Sequence, residues 1–286
     1  MSRLIGGHVS GAGGIKNALA RGDEIGAEII QIFTNSPRGW KAQPISLNGF
    51  DDISHAKRDL TTKVSKVVSH ASYLINLASP EPELYAKSRA LLAQTMTYAS
   101  EIGVSSVVLH VGSHRGHGFN SQFNQIVEAI AQAIEIGPKT QLLLENSAGA
   151  GDSIGSTFNE LGSVLQASAL NCRVGVCLDT QHLFASGVEF TNDGQVEAIA
   201  TQIRDQLPKD ALGLIHLNDS KVACGARVDR HENIGEGFIG NAPLARLLTH
   251  SSFQDIDIVL ECPGDGDGPR AIDVTQARDL FGTFQS

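Results

Sequence analysis

Residues 105–111 read Ser105-Ser106-Val107-Val108-Leu109-His110-Val111, and residues 141–146 read Gln141-Leu142-Leu143-Leu144-Glu145-Asn146. Each is a short, almost unbroken apolar run that closes on a side chain able to bind a proton or a metal ion. A strand with one wet face alternates apolar and polar residues, so unbroken runs of this length suit parallel strands buried on both faces. Between the two runs, Phe123, Ile126, Val127, Ile130 and Ile134 follow the i, i+3, i+4, i+7, i+11 series of a helix with one buried stripe. Strand, helix, strand is the unit from which parallel sheets are built.

The same alternation extends in both directions. Further strand candidates are Leu4 to Val9, Glu28 to Thr34, Lys66 to Ser72, Arg173 to Asp179, Leu212 to Leu217 and Asp257 to Cys262, which makes eight units in all. Helical stripes recur in Leu84, Leu91, Leu92, Met96 and Ala99, and in Val196, Ile199, Ala200, Ile203 and Leu207. Thr157 and Glu160 have the spacing of a capping box ahead of Leu161, Val164 and Leu165. The segment from Pro44 to Arg58, where the second helix should fall, is poorly periodic. Eight alternating units predict an α/β fold, a single (β/α)8 TIM barrel with its active site at the C-terminal ends of the strands. No linker, charge block or low-complexity tract divides residues 1–286, so one catalytic domain is expected; Gly264 to Pro269 is a short loop after the last strand.

Composition narrows the class. With 41% hydrophobic residues the chain is not of a disordered type. No stretch reaches the apolar length of a membrane span, and Met1 to Gly7 lacks the apolar core of a signal peptide, so a cytoplasmic protein is expected. Cys172, Cys177, Cys224 and Cys262 form no C-x-x-C pair and read as reduced, mostly buried thiols. The net charge of −9 argues against a basic protein that coats nucleic acid without regard to sequence, but not against an enzyme acting on it. Bound cations are often the largest local charges in a site, and three Zn²⁺ would bring the formal total from −9 to about −3.

Ligand-type side chains gather at one end of this barrel. His70 closes the third strand, His110 the fourth, Glu145 the fifth, Asp179 and His182 the sixth, His216 the seventh and Glu261 the eighth. Singly, each reads as a satisfied rim histidine or a paired structural carboxylate. Together they put imidazoles and carboxylates of six consecutive strands into one cavity, where unneutralised carboxylates would be very costly to bury. Asp229-Arg230-His231 adds an acid and an imidazole on one side of an extended segment, within a loop from Asn218 to Glu236 too long for a simple connection. Mixed imidazole and carboxylate donors suit Zn²⁺, with Mn²⁺ or Fe²⁺ as alternatives, and a carboxylate-rich supply suits open, bridged, catalytic metals.

Motifs along nearly the whole chain resemble the endonuclease IV family of abasic-site nucleases. They are Gly6-Gly7-His8-Val9-Ser10, Phe33-Thr34-Asn35, His70 through Ala78, Gly175 through His182, and His216-Leu217-Asn218-Asp219-Ser220-Lys221 followed by Gly225 and Asp229-Arg230-His231. The resemblance implies a trinuclear centre of three Zn²⁺ per chain, with Mn²⁺ an alternative at one or more sites. His70, His110 and Glu145 would hold the first ion. Glu145, Asp179, His216 and Glu261 would hold the second, and His182, Asp229 and His231 the third. It implies hydrolysis of the phosphodiester 5′ to an abasic site in damaged double-stranded DNA, leaving a 3′-hydroxyl and a 5′-deoxyribose phosphate, by a monomeric base-excision repair enzyme. Glu145 and Glu261 would be the catalytic carboxylates, and Arg38, Tyr73 and Leu74 the DNA-binding residues that probe the lesion. Read alone, Arg38 is a solvated loop charge and Tyr73 an ordinary strand-end aromatic. The chain departs from the family pattern at Gln181, where a cysteine is usual, at Cys262, where a threonine is usual, and at Pro37 and Gly39 in the probing loop. Two other readings fit the same ligand pattern: a metal-dependent sugar isomerase or epimerase on this barrel, and a non-catalytic metal- or DNA-binding protein.

Overall fold

A computed structural model describes residues 3–40, 53–167 and 173–282. In chain order the elements are β1 (Ile5–His8), α1 (Ile15–Glu24), β2 (Ile29–Phe33), α2 (Ile53–Asp59), β3 (Lys66–His70), α3 (Pro82–Ile102), β4 (Ser106–Leu109), α4 (Phe119–Ile136) and β5 (Gln141–Glu145). Then come α5 (Phe158–Ala167), β6 (Val174–Asp179), α6 (Thr180–Ala185), α7 (Asp193–Gln206), β7 (Leu212–His216), β8 (Asp219–Ser220), β9 (His231–Glu232), α8 (Asn241–Thr249), β10 (Ile258–Leu260) and α9 (Ala271–Gly282). Strands β1 to β7 and β10 close into a parallel barrel in the order β1-β10-β7-β6-β5-β4-β3-β2. Each expected strand is present, trimmed by a residue or two at its ends. Of the segment expected as the second helix, residues 44–52 lie outside the described residues and the remainder falls in α2.

The barrel is a packed core. Ile29, Val68, Val108, Leu143, Cys177, Leu214 and Val259, one from each of seven strands, form an apolar cluster with Leu4 against it. Burying each large aliphatic side chain here contributes about 1.5–3 kcal/mol. A larger cluster lies between strands and helices, and includes Leu92 and Met96 of α3, Ile126 and Ile130 of α4, and Val196 and Ile199 of α7. These helical stripes are the ones legible in the sequence. At Gly6 a Cβ would meet the Ile29 carbonyl oxygen at 1.8 Å, so β1 and β2 approach only because that position has no side chain. Helix α3 opens on Pro82 and stops at Gly103, whose φ of 85° is the left-handed conformation that ends helices.

Three local features differ from expectation. The Thr157–Glu160 box is half made: Thr157 Oγ1 accepts from the Glu160 N–H at 3.4 Å, but the Glu160 carboxylate takes the Gly155 N–H instead, at 2.9 Å. A complete capping box sits at α7, between Asn192 and Gln195. The long loop after β7 is a built structure, an antiparallel ribbon of β8 and β9 that pairs Ser220 with His231. Cys177 and Cys262 are buried free thiols and Cys224 is a half-buried one; Cys172 lies outside the described residues. Among the described residues no helix is long and apolar enough to cross a membrane.

Candidate metal centre

Alternate residues of a strand share a face. Two positions beyond each member of the apolar layer the chain therefore presents a second inward layer, which is polar throughout: Gln31, His70, His110, Glu145, Asp179, His216 and Glu261. All are buried except His110 and Glu261, which are partly exposed at the C-terminal mouth. The apolar layer closes the floor beneath them, and the site opens toward the loops.

Donor atoms of this layer fall into groups. His70, His110 and Glu145 form one; Glu145, Asp179, His216 and Glu261 form a second; Asp179, His182 and His231 form a third, with the donor atoms of each group within 4.8 Å of one another. Glu145, fully buried, belongs to two groups. Its Oε2 lies 3.1 Å from His70 Nε2 and 3.3 Å from His110 Nε2, and its Oε1 lies 2.9 Å from His216 Nδ1 and 3.4 Å from His182 Nδ1. Glu261 Oε2 is 3.1 Å from His216 Nδ1. Asp229, expected beside His182 and His231, reaches both from the rim: its carboxylate oxygens are 3.3 Å from His182 Nε2 and 3.4 Å from His231 Nε2. Asp179, expected only in the second group, also faces His231, and so joins the second group to the third.

The local structure explains this convergence. Asp179 ends β6 and caps α6, its Oδ1 accepting the His182 N–H at 2.7 Å, which aims His182 back across the mouth. The ribbon carries His231 and its neighbour Asp229 inward, and Gln181 fastens it by donating to the Val228 carbonyl at 3.0 Å. Thus the departure at Gln181 anchors the loop rather than contributing a donor to the cluster.

Three of the imidazoles, His70, His182 and His216, also have a second partner that fixes their orientation. His70 Nδ1 donates to the Ala71 carbonyl at 2.7 Å and His182 Nδ1 to the Asn146 carbonyl at 3.0 Å, which turns Nε2 of both toward carboxylates. His216 is reversed: Nε2 meets the Gln31 carbonyl oxygen at 2.9 Å and Nδ1 faces the cluster. Asn218 donates to Asp179 Oδ2 at 2.7 Å and accepts the Glu261 backbone N–H at 2.9 Å. Outer partners of this kind set the tautomer and aim of metal-binding side chains. The residues present fit divalent cations. His231 Nε2 is buried with no hydrogen-bond partner, and stands 3.6 Å from Asp179 Oδ2 and 3.4 Å from Asp229 Oδ1. Those gaps are too long for good hydrogen bonds; a cation between the three would satisfy them all.

Without cations the cluster must balance its charge with protons. Burial opposes charge on His182 and His216. Yet Asp179, Asp229 and Glu145 hold His182 well above the ordinary imidazole value, and the surroundings of His216, chiefly Cys177, Glu261 and Glu145, do the same for it. Burial likewise opposes charge on Glu145, but the imidazoles of His110 and His216 and hydrogen bonds from His182 and His216 keep it well below the usual carboxylate range. Burial pushes Asp229 up, but His182 and His231 bring it down to about 2. His8 and His110 go the other way, lowered chiefly by burial, His8 to about 4.

Cations would therefore displace protons. Titrating metal-free protein with Zn²⁺ at neutral pH is expected to release protons from His182 and His216, read by a pH indicator in weak buffer, and apparent affinity should fall as pH falls. A matching sign holds for stability. The contribution of imidazoles raised above the ordinary 6.5 is complete below that value and is lost as pH climbs through their raised folded values. Metal-free protein should lose thermal stability as pH rises above neutrality, and metal-loaded protein should not. No proton release, or parallel Tm profiles, would contradict this charge balance.

The three residues expected to meet DNA lie around the same mouth. Tyr73 is 56% exposed and packs edge-on against Phe33, with ring centroids 5.3 Å apart. Leu74 is half-buried and Arg38 exposed. Their two loops are tied together, because the Pro37 carbonyl accepts from Tyr73 N at 3.2 Å and from Ser72 Oγ at 2.9 Å. Trp40, Tyr73, Leu74, His110, His182 and Asp229 share the wall of a cavity of about 520 Å³.

Sequence reasoning from strand ends passed over His8, Gln31, Asn146 and Asn218. His8 ends β1, so the strand-end rule applied once more would have found it. The two asparagines follow ligand candidates closely in sequence, and Gln31 obeys the period-two rule of the inward layer.

Residues 19–281 match the family of xylose isomerase-like TIM barrels. A probable endonuclease 4 of Halothermothrix orenii is 39% identical over 91% of this chain and 93% of its own length. That of Thermosipho melanesiensis is 36% identical over 98% of this chain and 99% of its own. Among solved structures, endonuclease IV of Thermus thermophilus superposes with a TM-score of 0.81 at 31% identity, covering 97% of this chain and 98% of that one. A D-tagatose 3-epimerase-like protein superposes with a TM-score of 0.70 at 14% identity, covering 98% and 97%, a likeness of fold alone.

Proposed function

The chain belongs to the endonuclease IV family of the xylose isomerase-like TIM barrels, and from that membership we propose that it is a metal-dependent endonuclease of DNA repair, hydrolysing the phosphodiester 5′ to abasic sites in duplex DNA. The observation that carries the reading is the sharing of Glu145 and Asp179 among three donor groups at one open mouth, beside the exposed Tyr73 and Arg38. Residues 1–286 then act as one catalytic domain and a monomer, working in the cytoplasm.

His70, His110 and Glu145 would hold one divalent ion, Glu145, Asp179, His216 and Glu261 a second, and His182 and His231 a third, with Asp179 and Asp229 completing it. Three Zn²⁺ suit these donors, with Mn²⁺ the alternative. Bound there, such ions supply Lewis-acid stabilisation of charge on phosphate oxygens and lower the pKa of a nearby water. The chain's own residues do the rest. Glu261, ionised and partly open to the mouth, takes the proton of the attacking water. Glu145 and Asp179 keep the donor groups in fixed relation. Tyr73 and Leu74 wedge where a base is missing, since unstacking costs least at a lesion, and Arg38 enters the stack beside them. The extruded sugar and its phosphate enter the cavity walled by Tyr73, His110 and Asp229.

Metal content by mass spectrometry, with nicking of an abasic duplex before and after chelation, tests the reading. About three ions per chain and a nicking activity lost to chelation and restored by Zn²⁺ or Mn²⁺ are expected. One ion or none, or activity on ketoses and none on the abasic duplex, overturns it. Arg38→Ala should weaken binding of the abasic duplex about tenfold, the order of one stacked contact, with metal content unchanged. Fluorescence anisotropy reads the affinity, and an undiminished value makes Arg38 a bystander.

A further inference from the structure

We propose that Gln31 is a positioning residue of the metal centre, whose side-chain amide locks His216 with Nδ1 toward the cations and holds Glu261 from the far side. The inference rests on the metal reading above. Gln31 lies on β2, in the inward layer that the next five strands and β10 fill with ligand candidates, and it is fully buried. It is the only member of that layer that is neither an imidazole nor a carboxylate. Three polar groups meet it. Its Oε1 accepts from His216 Nε2 at 2.9 Å, and its Nε2 donates to Glu261 Oε1 at 2.5 Å and approaches His8 Nδ1 at 3.1 Å. His8 is its partner in the β1–β2 register.

These contacts fix the direction of the amide. Turned over, it would set its oxygen against the Glu261 carboxylate and its N–H₂ against the His216 N–H. In the observed sense the acceptor end requires a proton on His216 Nε2. That leaves the lone pair on Nδ1, which faces Glu145 Oε1 at 2.9 Å and Glu261 Oε2 at 3.1 Å. The donor end takes Glu261 Oε1, leaving Oε2 for the cluster. A side chain with an acceptor and a donor at one tip is needed. A carboxylate would keep the first contact and repel Glu261; an apolar side chain would keep neither and leave His216 Nε2 unpaired in a buried place. His70 and His182 find backbone carbonyls for the same purpose; His216, deep between strands whose carbonyls serve the barrel ladder, has the glutamine.

The test uses the full chain loaded with Zn²⁺. Long-range ¹H–¹⁵N NMR on histidine-labelled wild type should show His216 as the Nε2–H tautomer, and an Nδ1–H tautomer overturns the proposal with no variant needed. Gln31→Leu should mix or reverse that tautomer and weaken retention of one ion by about 10–100-fold in a chelator competition. It should lower kcat for the abasic duplex and leave KM near its wild-type value, because Gln31 is fully buried and offers no surface to a substrate. Gln31→Glu should keep the Nε2–H tautomer, since a carboxylate still accepts from it. If wild type loads metal and nicks DNA but Gln31→Leu matches it in tautomer and metal retention, the inference fails and the functional reading stands. If wild type binds no metal, both fail.

Discussion

Replacing Glu145 by glutamine is expected to disrupt two of the three donor groups at once and to lower nicking of an abasic duplex by more than about a thousandfold. Losing one preorganised charge-stabilising element already lowers rates by about 10²–10³, and this change removes the residue that two groups share. The side chain is completely buried, with four imidazoles within 3.4 Å. Glutamine keeps its volume and one acceptor oxygen, so the barrel floor is not disturbed. What disappears is the charge, the second acceptor, and with them the ability to face two cations. In the metal-free protein His216 and His182 would lose one of the carboxylates that hold their protons, so proton release on adding Zn²⁺ should shrink as well. Mass spectrometry should find about one retained ion, that of the His182–His231 group, whose remaining donors do not include Glu145. A Glu145→Gln variant with the full metal complement and wild-type nicking would show that the groups are not joined through this residue, and the mechanism built on their sharing would fall with it.

The barrel was legible because its strands are buried on both faces. A run such as Val107-Val108-Leu109 has little other use than a central parallel strand, and repetition of such runs between helical stripes leaves few alternatives to closure. The strand ends were less certain, since the ladder stops where loops take over, and apolar residues such as Val111 continue into the rim. The ribbon of β8 and β9 could not be read at all. It depends on Asp219, a buried carboxylate that accepts the backbone N–H groups of Ser220, Gly235, Gly237, Ile239 and Gly240, a knot made by tertiary contacts that no local pattern records. Helix α6 was also missed, because its start rests on the Asp179 cap and it is too short to show a period.

At the site, strand-end imidazoles and carboxylates announced themselves by chemistry and position together. Partnership among them was harder. Asp179 stands at two groups because α6 turns His182 back over it, and the ribbon then lowers His231 onto its other oxygen; neither motion is written in spacing. Neutral residues were the most difficult. Gln31, Asn146 and Asn218 have no charge to draw attention, yet each holds one or two of the charged groups in place. The one rule that reaches Gln31 is geometric: the residue two positions beyond a buried barrel-floor side chain faces the same way.

Glu261→Gln is expected to lower nicking by about 10²–10⁴, the range of a lost general base, while abasic-duplex affinity stays within about twofold of wild type. Several contacts isolate the effect. The backbone N–H of Glu261 is held by Asn218 at 2.9 Å, and the variant's amide oxygen can still accept from the Gln31 Nε2, so the side chain keeps its place. The loops bearing Arg38, Tyr73 and Leu74 are anchored through Pro37 and do not depend on it. Glu261 differs from Glu145 in being partly exposed toward the mouth, where water and substrate arrive. In the metal-free protein its carboxyl is kept ionised against the effect of burial, chiefly by the His216 imidazole; with cations bound, their charge would take over that part. Glutamine cannot take a proton there, and one acceptor toward the cations is lost. Single-turnover nicking under saturating enzyme separates this from a binding defect. A rate that recovers as pH rises would mean that hydroxide from solvent replaces the missing base, as the assignment requires. A variant that turns over normally, or one whose affinity falls as far as its rate, would move Glu261 from the proton-transfer step to the framework around it.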